Sequence, residues 1–445
     1  MAAVAGEESL QQLFFLNAPG GYGKTYLIEA LLSTVRSKRE IALAVASSGI
    51  AAELLEGGRT AHSRFKIPIP IFESSVSNIS LQSDDAKLMQ KTSLIIWDEV
   101  MMAHKHHIEC VDRSLRDILK VDKPFGGITT VFSGDPRQIL PVVRHGSQEE
   151  IVKACVHSSQ LWSQVKQLPL TTNMRVAKDE AEFSEYVLRI GDGKVETYEE
   201  QGQDMIQIPR KYLVDTMDEL IDKVFPNIED GYSDKHFVAR RAILTPKNDG
   251  VDKINELIMS KFPGQGKTYL SADTVGEDDQ QDAYPTEFLN TVTLSGMPPH
   301  EMTLKIGAPV ILLRNLRAGP NGGLRNGTRL IIVSLGEKVL EVEIASGVHK
   351  GKCVLIPRIT LAPSDTELPF TLKRRQFPVR PCFAMSTNKA QGQTLDFVGI
   401  HLPDHVFTHG QLYVAFSRVR NEQSVAVHVN NKEGYTKNIV FTEVL

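Results

Sequence analysis

The chain has 445 residues, too many for one ordinary core, so two or three domains are expected. Apolar residues make up 41% and charged residues 23%, which excludes a disordered chain. Fifty basic against 54 acidic residues give a net charge of −4, which argues against a broad basic surface and leaves room for a narrow basic groove.

No apolar run reaches the ~18 residues that a membrane span needs, so no membrane contact is expected. The opening MAAVAGEESL has neither a basic flank nor an Arg-rich amphipathic pattern, so neither a secretory nor a mitochondrial leader is expected. Cys110, Cys155, Cys353 and Cys382 lie far apart without a CxxC pair, which predicts neither a disulfide framework nor a zinc site. His104, His106 and His107 read either as a metal cluster or as a solvated helix start.

In chain order, LFFLN (13–17) suits a buried strand and YLIEALLSTV (26–35) has the 3.6-residue period of a helix. Between them lies APGGYGKT (18–25). Strand, Gly-rich turn and helix form the frame of a phosphate-binding loop. Gly20, Gly21 and Gly23 let backbone N–H groups face phosphate, Lys24 reaches the β- and γ-phosphates of ATP, and the Thr25 hydroxyl holds Mg²⁺. Ala18 stands where the motif usually begins with Gly, and Tyr22 is bulky, reading as either crowding the phosphates or pointing outward. A second GKT (266–268) lacks the strand–helix frame and reads as chance.

LIIWDEV (94–100) is an apolar strand ending in two carboxylates, as in a parallel sheet covered on both faces. Asp98 is placed to hold Mg²⁺ and Glu99 to act as general base on the attacking water. TTVFSGDPRQILPVV (129–143) repeats the pattern, with Gln138 as sensor of the γ-phosphate or the water; Arg137 stays ambiguous.

With these segments on the page, the chain resembles the Pif1-like helicases of superfamily 1, closest to the helicase module of Helitron-type rolling-circle transposons. The resemblance runs from about residue 14 to 429 on an ordered motif series: APGGYGKT, AVASSGIAAELLEGGRTAHSRFKIP (44–68), WDEVMM (97–102), SGDPRQILPV (133–142), LTTNMRV (170–176), MSTNKAQGQTLD (385–396) and QLYVAFSRVR (411–420). It implies an α/β P-loop NTPase fold with two RecA-like motor domains and a small β-barrel-like insertion in the second. It implies ATP-dependent translocation on single-stranded DNA and unwinding at a DNA fork, with 5′-to-3′ polarity. Repair, recombination and telomere roles, and a nuclear location, follow by resemblance alone; a monomer is expected.

By the same resemblance Arg175 and Arg418 are arginine fingers, useful only if the domains close around ATP. Ser47, Ser48, Gly49, Thr60, His62 and Ser63 would touch DNA from the first domain. Thr245, Asn248, Asn388, Lys389, Gln391 and Thr394 would do so from the second, the run 388–394 either holding a phosphodiester or linking it to the ATP cleft. His62 reads equally as a structural histidine. Phe65, Phe72 and Phe383 are candidates for base stacking or for core.

The expected organisation is a first motor domain over 1–165, with a small insertion at 64–92. A second motor domain follows over 166–445, containing a β-rich subdomain over 302–375. Residues 271–300 read as a loop, and Lys373, Arg374 and Arg375 as a basic edge or a solvated turn. Family members open with a helix and a glutamine-bearing segment that reads adenine. Here Gln11 and Gln12 stand alone before the first strand, so an incomplete adenine pocket is expected, and Pro136 replaces the usual aromatic. The paired histidines and tyrosines of a rolling-circle nuclease are absent from the sequence. Two other readings remain: an ATPase that does not act on DNA, and an impaired DNA-binding relic. Ser47-Ser48-Gly49 and Thr60-Ala61-His62-Ser63 argue against the first; intact Lys24 and Glu99 argue against the second.

Overall fold

The computed structural model describes residues 12–174, 181–230, 232, 234, 236–248, 250–276, 284–316, 324–363 and 368–445. Two parallel α/β sheets and a β-rich part make up the described chain, as expected for two RecA-like domains with an insertion.

The first sheet holds β1 (Leu13–Asn17), β2 (Ile41–Ala46), β3 (Arg59–Thr60), β4 (Thr92–Asp98), β5 (Thr129–Gly134) and β6 (Lys166–Pro169). Its order is β3-β2-β4-β5-β1-β6, all parallel. The central strands are buried along nearly their whole length because helices cover both faces. On one face α1 (Lys24–Ser37) buries Ile28, Leu32 and Val35, spaced by helical turns, against Leu16, Ala44 and Ile96. On the other, the helix Lys105–Leu119 buries Ile108, Val111, Leu115 and Ile118 beside Phe15, Trp97 and Phe132. Full burial of each such aliphatic side chain contributes roughly 1.5–3 kcal/mol.

The second sheet runs Ala384–Ser386, Arg241–Thr245, Phe397–Leu402, Val425–Val429, Leu213–Val214, again parallel. The β-rich part is antiparallel. Cys353–Pro357, Val339–Ile344, Arg329–Leu335, Pro309–Leu312 and Val379–Pro381 form a five-stranded sheet.

Four boundaries differ from expectation. β6 pairs with β1, and the Leu170 N–H donates to Asn17 O, so the first sheet extends past residue 165. The chain end returns to the first domain, where Phe441 and Val444 enter its core. The β-rich part reaches beyond 302–375, because Lys267–Leu270 pairs with Glu301–Leu304 and Val379–Pro381 completes the larger sheet. Within 271–300 the strand Ala272–Val275 pairs with Leu372–Gln376 and Thr286–Thr291 is helical. Arg374 is therefore no solvated edge. Its guanidinium is buried on Asp273, 2.6 Å from Oδ2, because strand register puts the two residues opposite each other. Residues 66–83 carry no helix or strand, and Asp84–Gln90 is a helix capped by the Ser83 hydroxyl.

Candidate active site

The strand ends of the first sheet build the site. The Ala18 N–H donates to Gly134 O at 3.0 Å, which ties the start of the phosphate loop to β5. Gly21 (φ 96°) and Gly23 (φ 81°) lie in the left-handed region, where only glycine sits without strain. Gly23 occupies the N-cap of α1 and offers no side-chain acceptor. The first-turn N–H groups are thus left for an anion. Thr25 is exposed at the same helix start. Tyr22 is half-buried and does not point outward into solvent. It lines a narrow cleft with Gly20, Asn173, Phe183, Tyr413 and Ser417, where the two sheets meet.

Lys24 bridges the acidic pair, its Nζ 2.9 Å from Asp98 Oδ1 and 2.6 Å from Glu99 Oε1. Burial alone would lower the lysine pKa, but Asp98 and Glu99 outweigh it and hold the ammonium charge above the usual range. Asp98 is steadied by the Ser133 hydroxyl at 2.7 Å and by the Glu99 N–H at 2.9 Å. Glu99 itself has φ 50° and ψ 40°, a left-handed conformation that costs a non-glycine residue roughly 1–3 kcal/mol. That turn aims the carboxylate back at Lys24.

The second sheet reaches into the same place. Gln391 Nε2 donates to Glu99 Oε2 at 3.1 Å. This corrects its expected role: the residue is 2% exposed and serves the carboxylate, not a DNA strand. Gln138 is buried, with Nε2 3.4 Å from Asp135 Oδ2. The Oε1 atoms of Gln138 and Gln391 are buried without a hydrogen-bond partner. Both are acceptors, the chemistry suited to the O–H bonds of a water.

Four contacts around the sensor loop were not visible in the sequence. The Tyr413 hydroxyl donates to Asp135 Oδ2 at 2.5 Å. His409 Nε2 lies 2.8 Å from Pro136 O, while its Nδ1 accepts from the Phe441 N–H, which assigns the proton to Nε2. Arg137 pairs with Asp192 at 2.5 Å, so it is an interdomain ion pair and not a loose surface group. Gly410 backs directly onto Arg137 O, leaving no room for a Cβ. Tyr413 lies inside QLYVAFSRVR, the single signal that could have flagged it.

Arg418 is buried, and its guanidinium is spent on Val414 O, Gln393 O and Ser417 Oγ at 2.8–3.0 Å. Burial lowers its pKa, with Glu99 the largest opposing charge, so it lies within electrostatic reach of the base. Arg175 falls outside the described residues. The neighbouring Met174 N–H donates to Gly21 O at 3.0 Å.

The polar residues proposed for DNA fall in two groups. Ser47 accepts from Trp97 Nε1 at 3.1 Å, and Ser48 and Thr60 cap short helices through the N–H groups of Ala51 and Ser63. Gly49 abuts the β-rich part: a Cβ there would sit 2.5 Å from Asn326 O. His62 packs edge-on against His107, with ring centres 4.6 Å apart, and burial lowers its pKa. Ser63, Asn248, Lys389 and Thr394 are exposed. Asn388 accepts from Gln411 Nε2 at 3.1 Å. Thr245 is 1% exposed, because it ends a central strand and its carbonyl accepts from Thr387 Oγ1, so its side chain is not a surface contact. The two groups meet where Gly392 lies against Ala51. Phe65 and Phe383 are core, Phe65 being stacked on Trp97, whereas Phe72 is exposed. His104, His106 and His107 form a ring cluster, and among the described residues no set of His, Cys, Asp and Glu is arranged to hold a metal ion. No described helix is long and apolar enough to cross a membrane.

Known proteins resemble this chain in sequence and fold. The PIF1-like helicase family profile matches residues 2–201, and that of the DNA helicase Pif1 2B domain matches 287–335. The chain is 26% identical to the ATP-dependent DNA helicase PIF1 of Homo sapiens, over 94% of this chain and 58% of that protein. It is 25% identical to the ATP-dependent DNA helicase Pif1 of a Psychrobacter species, over 92% of this chain and 64% of that one. The chain thus spans about three-fifths of the length of these relatives. The crystal structure of Bacteroides Pif1 bound to ssDNA superposes with a TM-score of 0.67 at 24% identity, covering 95% of this chain and 89% of that one. Both profiles and the overall fold agree, and the chain belongs to the Pif1-like superfamily-1 DNA helicases.

Proposed function

We propose that this chain is the motor core of an ATP-dependent DNA helicase that translocates 5′-to-3′ on single-stranded DNA and opens duplex at a fork. The observation that carries it is the shared Glu99 carboxylate. Lys24 of the phosphate loop holds one oxygen and Gln391 of the second sheet holds the other. A catalytic base gripped from both sheets responds to any movement between them.

ATP would place its phosphates on the N–H groups at Gly23–Thr25, and Lys24 would leave the carboxylates for the γ-phosphate. Thr25 and Asp98 would hold Mg²⁺, a hard cation suited to hydroxyl and carboxylate oxygens, which neutralises phosphate charge. Glu99, released from Lys24, takes a proton from the attacking water. The water oxygen bonds to the γ-phosphorus as the bond to the β–γ bridging oxygen breaks. Gln138 and Gln391 orient that water through their free carbonyl oxygens. Arg418, with Arg175 by the family pattern, supplies positive charge from the second-sheet side. Ser63, Asn248, Asn388, Lys389 and Thr394 offer donors to sugar and phosphate, with the engaged hydroxyls of Ser47, Ser48 and Thr60 turning over as the strand arrives. An origin in a Helitron-type transposon is supported by the motif run alone.

The deciding experiment is steady-state ATP hydrolysis with and without single-stranded DNA, beside Glu99→Gln. Strong stimulation that drops about a thousandfold in the variant is expected. Hydrolysis indifferent to DNA points to an ATPase with another target, and folded protein without hydrolysis points to a binding relic. Comparing 5′-tailed with 3′-tailed duplexes then tests the polarity.

A further inference from the structure

At the β3 edge of the first sheet, the β-rich part leans on the motor domain around a cleft of about 410 Å³. One wall comes from residues 52–64 and the other from residues 324–354. Arg59 and Arg64 face it from the motor domain, Arg325 and Lys352 from the β-rich part. Against these four cations stand two carboxylates, Glu53 and Glu56. Glu53 is already engaged by the Thr328 hydroxyl, and burial raises its pKa. Positive charge is therefore in excess. Burial lowers the pKa of both Arg64 and Arg325, and repulsion from Arg59 adds to it.

The donors are also incompletely used. Arg325 Nη2 donates to Gly58 O, but Arg325 Nη1 and Arg64 Nε are buried with no hydrogen-bond partner. Buried guanidinium donors without acceptors are unfavourable, and a tetrahedral oxyanion satisfies them in pairs. The cleft adjoins the strand path on the reading above. Arg59 directly precedes Thr60, and Arg64 directly follows Ser63.

We infer that this cleft binds an oxyanion, a phosphodiester of the nucleic-acid strand, bridged by Arg64 of the motor domain and Arg325 of the β-rich part. The bridge clamps the β-rich part onto the motor domain while a strand is bound. The inference rests on the nucleic-acid reading of the previous section.

The test is the affinity of the full chain for a fluorescent oligo-dT across salt concentrations, for wild type, Arg64→Gln, Arg325→Gln, the double variant and Arg64→Lys. Neutralising one single-strand phosphate contributes about 0.7 to the slope of log K against log salt. Each Gln variant is expected to lose about that slope, and the double variant no more than either, because both arginines hold the same phosphate. Arg64→Lys keeps the charge and is expected to keep the slope. Wild-type slopes in the Gln variants overturn the inference, and so does an equal loss in Arg64→Lys, which marks a packing defect. Thermal stabilisation of the wild type by inorganic phosphate that oligo-dT does not displace shows a free-phosphate site and also overturns it. If wild type binds no oligo-dT at all, it is the helicase reading that fails.

Discussion

The first motor sheet meets the rest of the chain at the phosphate loop and at the β3 edge, among other places, and these two junctions differ. On the phosphate-loop side the charged groups are partnered, with Tyr413 on Asp135, His409 on Pro136 O, Arg137 on Asp192 and Gln391 on Glu99, and what is left over is two neutral amide oxygens, those of Gln138 and Gln391. At the β3 edge the contacts are few, from Arg325 to Gly58 O and from Thr328 to Glu53, and guanidinium donors are left over. The first junction is neutralised within the protein. The second needs a negative charge from outside. On the helicase function proposed above, a motor that must close on nucleotide yet let a strand enter needs this asymmetry: one junction sets the resting geometry, and the other becomes complete when the track is present.

The largest expected effect is on the matched junction. Gly410 has φ +73° and its missing side chain faces Arg137 O. Gly410→Ala forces a Cβ into that backbone oxygen in a conformation that disfavours it, at a cost of about 3–4 kcal/mol. Urea denaturation with an unchanged midpoint would show that the junction is slack and not closely packed.

Acid attacks the same junction through His409. Burial pushes its pKa down to about 4 from 6.5, with Glu443 and the bond to Pro136 O opposing weakly. The unfolded chain therefore takes the proton first. The contribution of His409 is full above about pH 6.5 and is lost as pH falls through about 4, a change of about 3 kcal/mol. His107, His157 and His401 are depressed in the same direction, so the measurement must be a difference. His409→Gln is expected to be less stable at pH 7.5 and to show a shallower fall between pH 6.5 and 4. Parallel curves would remove His409 from the account.

The outer junction should yield more gently. A Cβ at Gly49 would lie 2.5 Å from Asn326 O, but without the added strain of the positive φ found at Gly410. Gly49→Ala is expected to cost about 1–2 kcal/mol in urea denaturation. It should also flatten the salt dependence of strand binding, because Arg64 and Arg325 are drawn apart. A variant that loses stability but keeps the full slope would separate the clamp from this contact.

The sequence made the first junction half legible. A phosphate loop and a strand ending in Asp-Glu sit on one continuous frame of strand, turn and helix, so Lys24, Asp98 and Glu99 could be placed by period and composition. The partners from the second sheet could not. His409 and Asp192 are ordinary residues that acquire roles only when residues 137 and 192, or 136 and 409, are folded together. Gln391 reads from sequence as a strand contact or as a link to the ATP cleft, because an amide suits a phosphate and a carboxylate equally well; its burial on Glu99 decides for the cleft. Arg374 failed for a related reason. A run of Lys-Arg-Arg reads as a wet edge until strand register sets Asp273 opposite its middle residue.

The last effect, read in turnover, separates positioning from binding at the matched junction. Tyr413 donates to Asp135 at 2.5 Å, and Asp135 in turn accepts from the Gln138 amide at 3.4 Å. Burial and Asp135 raise the tyrosine pKa, so it remains a donor across the working pH range. Tyr413→Phe keeps the ring and its packing but removes one hydrogen bond to a buried carboxylate, worth about 1.5–3 kcal/mol. Asp135 then turns towards its remaining donors, Gln138 and Arg137, and the sensor amide loses its aim. With Tyr413 acting through Gln138, kcat for ATP hydrolysis falls about tenfold, some 1.4 kcal/mol, while KM for ATP stays put. A raised KM with unchanged kcat would instead place the tyrosine on the nucleotide, reached from the cleft it lines with Gly20 and Tyr22. No change in either would mean that Asp135 holds Gln138 without help from the second sheet.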